Sequence, residues 1–168
     1  QLFNSIHNIL SKKHYPPAYI GNRELPPSPP DTLSPGTKFD HNIRILIVED
    51  IAYNRTLLVN MLENIRYTRI DEAVDGQQAF QLVERARKDN DEYSVMLLDL
   101  RMPVMDGYDV IKAMTARGWD LPKIVVVTAS VMDDDRDRCK EVGIQYFITK
   151  PISLPQLKDV MLCVTERH

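Results

Sequence analysis

Cysteine and net charge are both scarce in this chain, and each scarcity excludes something. Two cysteines in 168 residues, Cys139 and Cys163, cannot build a disulfide framework, and neither has metal-ligand spacing. Both fall in helical patterns and read as reduced packing residues, which favours a cytoplasmic setting. A formal charge of -3, with acids and bases interspersed, supplies no basic stripe or recognition helix, so no direct nucleic-acid contact is expected. No apolar run approaches the length of a membrane-spanning helix, so no membrane contact by this chain is expected either. The first residues also lack the cleavage pattern of a secretory signal. With 43% hydrophobic and 27% charged residues, the composition is that of a soluble globular domain with an extra segment.

Proline is present but unevenly spread. Seven of the 11 prolines lie in residues 1–42, including "YPPAYIGNRELPPSPPDTLSPG", which cannot sustain helix or sheet hydrogen bonding. Before it, "LFNSIHNILSKK" places Leu2, Phe3, Ile6, Ile9 and Leu10 at helical spacing. Residues 1–42 are therefore expected to be a short amphipathic helix with a proline-rich linker or arm, and residues 43–168 the folded domain.

From Ile43 the pattern alternates. "IRILIV" is a short continuous apolar run, suited to a strand covered on both faces. "IAYNRTLLVNMLENI" then repeats apolar residues at helical spacing, "RIDEAVD" reads as a weaker second strand, and "GQQAFQLVERARK" as a second helix. "SVMLLD" is the third strand and "YDVIKAMTARG" the third helix, with Gly118 in a stop position. "KIVVVTA" is strand four, residues 133–142 a fourth helix, "QYFIT" strand five, and "LPQLKDVMLCVTE" a closing helix with Pro155 in its first turn. Strands alternating with helices predict an α/β fold: a doubly wound, five-stranded parallel sheet with helices on both faces.

Open parallel sheets carry their sites beyond the carboxyl ends of the strands, at the topological switch point. Strand one ends at Glu49 and Asp50, strand three at Asp99, strand four at Thr128, and strand five just before Lys150. In a sheet of order 2-1-3-4-5, these residues share one crevice. Three packed carboxylates repel one another, and a hard divalent cation, Mg2+, suits an all-oxygen donor set. Asp99 is then placed to act as a nucleophile toward phosphorus, with Asp50 and Glu49 holding the metal. Lys150 and the Thr128 hydroxyl would neutralise charge on the transferred phosphoryl group.

"LIVED", "LLDLRMPVMDG", "VVVTAS" and "FITKP" together resemble the motif set of the receiver domain of two-component response regulators, over about residues 43–166. The resemblance implies a (βα)5 flavodoxin-like fold of that strand order and Asp99 as phospho-acceptor. It implies Asp50 as a direct metal ligand, Glu49 as one acting through water, and the backbone carbonyl of Arg101 as another. It also makes Thr128 and Phe147 a coupled switch. Glu49 replaces a frequent aspartate and Phe147 a frequent tyrosine, so a switch here works through packing alone. "VEDIAYNRTLL" and "DDDRDRCKEVGIQYFITKPISLPQL" resemble receivers attached to hybrid sensor histidine kinases. That implies phosphate arriving from a histidine kinase and passing to a histidine phosphotransfer protein. In that case the parent protein, not this chain, would carry any membrane anchor. No DNA-binding domain is expected after Val164, so output is expected through contacts of the receiver or through sequence outside this chain, and the oligomeric state, a homodimer included, stays open.

Two other function classes compete. An Asp-nucleophile phosphatase or phosphotransferase of the haloacid-dehalogenase kind needs a second carboxylate two residues after the nucleophile, where this chain has Arg101. A receiver-like interaction module independent of phosphorylation would not need Glu49, Asp50, Asp99, Thr128 and Lys150 together. A receiver that promotes its own phosphorylation and dephosphorylation is therefore expected, without independent turnover.

Overall fold

A computed structural model describes residues 40–129, 139 and 143–165. The expected N-terminal helix and linker up to residue 39, Ser130, and the expected helix over 133–142 apart from Cys139 lie outside the described residues.

The central strands are β1 (Arg44–Val48), β3 (Val95–Asp99) and β4 (Lys123–Thr128), with β2 (Arg69–Ala73) and β5 (Tyr146–Thr149) outside them. The order is β2-β1-β3-β4-β5, and every pairing is parallel. Burial explains why the runs read as they did. All of β3, and all but the first residues of β1 and β4, are buried, as continuous Val, Ile and Leu demand. The edge strand β2 buries only Ala73, so its sequence "RIDEA" could stay polar.

Four described helices cover the sheet: α1 (Ala52–Asn64), α2 (Gly76–Lys88), α3 (Gly107–Ala116) and α4 (Leu154–Thr165). Leu46, Val48, Met96, Leu98 and Val126 form one core with Ala79, Val83, Val110, Ile111 and Met114 of α2 and α3. The alternate residues Ile45, Ile47, Leu97, Val125 and Val127 are equally buried. Strand alternation turns them to the opposite face, where α1 brings Leu58 and Leu62, and α4 brings Leu157, Val160 and Met161.

The helices that start near the crevice begin where local chemistry dictates. Asp75 caps α2 by accepting from the Gln78 amide at 2.7 Å, while the Gln78 side chain accepts from the Val74 amide at 2.7 Å. Asp106 caps α3 through the Asp109 amide at 2.8 Å. Gly118 closes the α3 turn at φ +66°, which accounts for its stop position.

Candidate functional site

Strand register brings the polar strand ends together. β1 lies between β2 and β3, so Glu49 and Asp50 leave the sheet beside Asp99. One carboxylate oxygen from each of Glu49, Asp50 and Asp99 falls within 4.8 Å of the others. Glu49 is 1% exposed and Asp99 5%. Lys150 enters from beyond β5, anchored by its amide to the Thr128 carbonyl at 2.9 Å. Its Nζ donates to Asp99 Oδ2 at 2.6 Å and to Glu49 Oε2 at 2.7 Å. The peptide bond from Lys150 to Pro151 is cis.

Burial alone would push the Lys150 ammonium pKa down, but the hydrogen bonds and charges of Asp99 and Glu49 outweigh it and hold the pKa above the ordinary lysine value. Lys150 therefore stays charged throughout the neutral range. One ammonium against three carboxylates leaves a net negative cradle of hard oxygen donors, the chemistry a small divalent cation completes.

Thr128, 1% exposed, stands at the end of β4, one residue past the Val127 that pairs with Asp99. The Arg101 amide donates to Asp99 Oδ1 at 2.9 Å, fixing the loop that follows the aspartate. Phe147, on β5, is not in the cluster: it pairs with Val126 of β4 and packs, half-buried, against the core. The structure thus assembles Glu49, Asp50, Asp99, Lys150 and the Arg101 backbone, with Thr128 alongside.

Several contributors had no clear sequence signal. A Cβ on Gly107 would lie 2.7 Å from the Asp99 carbonyl oxygen and 3.0 Å from the Leu100 Cα, so only glycine lets α3 start against the loop that follows Asp99. Val104, 90% exposed, takes φ +72° while the Met105 amide reaches the Pro103 carbonyl at 2.9 Å. This is the strained form of γ-turn, held in the loop beyond Asp99. Asn54 and Arg55 both bond to the Glu49–Asp50 pair. Their only trace in the sequence was the "VEDIAYNRTLL" motif.

A doubly wound sheet with an acidic cradle at its switch point defines a class, and comparison with known proteins places the chain within it. The model of the response regulator receiver domain matches residues 45–162, and the chain belongs to this family. It is 32% identical to the osmosensing histidine protein kinase SLN1 of Saccharomyces cerevisiae over 131 residues, 77% of this chain and 11% of that protein. Sensor histidine kinase RcsC of Salmonella typhi is 32% identical over 75% of this chain and 13% of its own length. The chain therefore spans little more than a tenth of these relatives and is homologous to the receiver regions of hybrid histidine kinases. Among solved structures, the receiver domain of sensor histidine kinase PA1611 from Pseudomonas aeruginosa is 30% identical, with a TM-score of 0.62, over 73% of this chain and 97% of its own. That structure holds a magnesium ion in its active site cleft. Chemotaxis protein CheY4 of Vibrio cholerae, 24% identical with a TM-score of 0.64 over 73% of this chain and 98% of its own, shares the fold.

Proposed function

We propose that this receiver takes a phosphoryl group from a phosphohistidine onto Asp99 and passes it to a histidine phosphotransfer protein, as one cytoplasmic domain of a hybrid histidine kinase. The observation that carries the reading is the convergence of three carboxylates within 4.8 Å, with Lys150 on two of them. Glu49, Asp50, Asp99 and the Arg101 carbonyl would hold Mg2+, which in such a site draws charge from phosphoryl oxygens.

A carboxylate oxygen of Asp99 attacks phosphorus, the bond from phosphorus to the donor imidazole breaks, and the bonding pair returns to the ring nitrogen. Lys150, already at Asp99, moves onto a phosphoryl oxygen, and the Thr128 hydroxyl donates to another. Water attacking phosphorus breaks its bond to the Asp99 oxygen, which keeps the electron pair and returns as carboxylate, and inorganic phosphate leaves. Thr128 drawn toward the phosphoryl group leaves room for Phe147 to turn inward, a population shift carried by packing.

The approach of a donor is also supported. Among the described residues the exposed large hydrophobics are Ile51, Tyr53, Val74 and Val104. All four follow the carboxyl ends of β1, β2 and β3, on the rim of the crevice. A histidine that reaches Asp99 directly must bring its own domain onto this rim, which a helical phosphotransfer domain with an apolar face would cover.

Incubation with phosphoramidate and Mg2+, read by intact-protein mass spectrometry, tests the proposal. One phosphoryl adduct is expected on the wild type, none with EDTA and none on Asp99→Asn. Multiple turnover without an adduct, or no modification at all, would replace it with the phosphatase or the phosphorylation-independent reading. For the switch, beryllofluoride with Mg2+ should shift amide resonances near Phe147 in the wild type but not in Thr128→Ala.

A further inference from the structure

The first turn of α1 departs from ordinary capping. Its N-cap residue is Ile51, whose side chain makes no cap hydrogen bond. Glu49 instead ties down the start of the helix from outside it, with Oε1 accepting from the Ile51 amide at 3.4 Å and from Asn54 Nδ2 at 2.8 Å. Its other oxygen, Oε2, accepts from Lys150. The buried carboxylate is therefore fixed at both ends, by a neutral donor and by a cation.

Glutamate has one more rotatable bond than aspartate, and freezing it costs side-chain entropy. A donor on a rigid helix offsets that cost. Asn54 is suited to this because it orients the carboxylate without adding a positive charge that would oppose a metal ion. Arg55, next in the chain, fixes the backbone of the same pair. Its Nη1 donates to the Glu49 carbonyl at 2.9 Å and the Asp50 carbonyl at 3.1 Å, while its Nε pairs with Glu72 on β2 at 3.3 Å. Glu72 balances the guanidinium, so its charge does not face the cradle alone.

We propose that Asn54, supported by Arg55, is a positioning residue that presets Glu49 and Asp50 for the divalent cation, and that Asn54 is what allows a glutamate at position 49. The inference rests on the metal-binding reading above. It predicts coupling between positions 49 and 54, because a shorter Glu49→Asp carboxylate no longer reaches Asn54. Alanine is a strong helix former, so Asn54→Ala leaves α1 intact.

The test is calorimetric titration of Mg2+ into the wild type, Asn54→Ala, Glu49→Asp and the double variant, with thermal unfolding of each in EDTA. Asn54→Ala is expected to weaken Mg2+ binding about tenfold or more, as loss of a partner that orients a metal ligand does. The same substitution in the Glu49→Asp background should change affinity far less, and in EDTA every variant should still unfold cooperatively, Asn54→Ala at a somewhat lower midpoint because it leaves a buried carboxylate one donor short. Wild-type affinity in Asn54→Ala, or an equal loss in both backgrounds, would overturn the proposal and leave Asn54 as a helix-to-strand tie. A wild type without Mg2+ affinity would instead remove the metal-binding reading, and this inference with it.

Discussion

At the amino-terminal ends of β1 and β2, two arginines meet two aspartates. Arg44 Nε lies 2.8 Å from Asp71, its Nη1 3.1 Å from Asp91, and Arg69 Nη2 2.7 Å from Asp91. Tyr93 donates to Asp71 at 3.0 Å beneath the Arg44 guanidinium, which sits 4.5 Å from its ring centre. Burial and the Asp71 contact together push the Tyr93 phenol well above the ordinary tyrosine value, so it stays a donor. At the carboxyl ends of the same sheet, three carboxylates meet one ammonium. The first cluster is balanced and internally satisfied: it ties the loop before β3 to the sheet edge. The second carries excess negative charge in a largely buried setting, which a bound cation would offset. The difference separates a clasp from a site, although both are built from acidic and basic side chains.

Substitutions at the two ends should therefore separate function from stability. The largest effect is expected from Asp99→Asn, which should abolish phosphoryl uptake from phosphoramidate while leaving the circular dichroism spectrum unchanged. Gly107→Ala forces a methyl group against the Asp99 carbonyl and the Leu100 backbone. It should cost about 1–3 kcal/mol in urea unfolding, as overpacking does, and slow phosphoryl uptake as well. Arg44→Met breaks the clasp but leaves the cradle alone. Because its partners are more than a third exposed, at 37% and 44%, the expected loss is about 1 kcal/mol, below that for a fully buried pair, with uptake unchanged.

The smallest effect concerns acid. The Arg69 hydrogen bond, ahead of the weak opposing effect of burial, holds the Asp91 carboxyl below its ordinary value of 3.8. A lowered folded-state pKa stabilises the fold above the unfolded value, and that contribution disappears as pH falls through the folded one. Asp91→Asn should therefore lower the unfolding midpoint at pH 7 slightly, and the gap to wild type should close as pH drops below about 4.

Most of the architecture was legible because the central strands are covered on both faces, so "RILIV", "VMLLD" and "KIVVVT" had to be apolar between their ends. Helix α2 ran over the expected residues because Asp75 marks its start and Ala79, Val83 and Ala86 mark its buried face. The strand order was expected by resemblance and is the one found. Glu49, Asp50, Asp99 and Lys150 were legible since each ends a strand or lies within two residues of its carboxyl end. The support around them was not. Asn54 matters because of where Glu49 points, Gly107 because α3 packs against a backbone carbonyl, and Arg44 because β2 brings Asp71 beside it. These are tertiary contacts without a periodic signature. The γ-turn at Val104 was hidden for another reason: a β-branched residue is a poor candidate for positive φ.

The claim that the carboxyl-end cluster is an unbalanced cradle completed by a cation is tested most directly by titrating Mg2+ calorimetrically into the wild type, Asp50→Asn and Arg44→Met. The account predicts saturable binding at a single site in the wild type, the same in Arg44→Met, and none measurable in Asp50→Asn. Absence of binding in the wild type, or binding that survives Asp50→Asn, would contradict it.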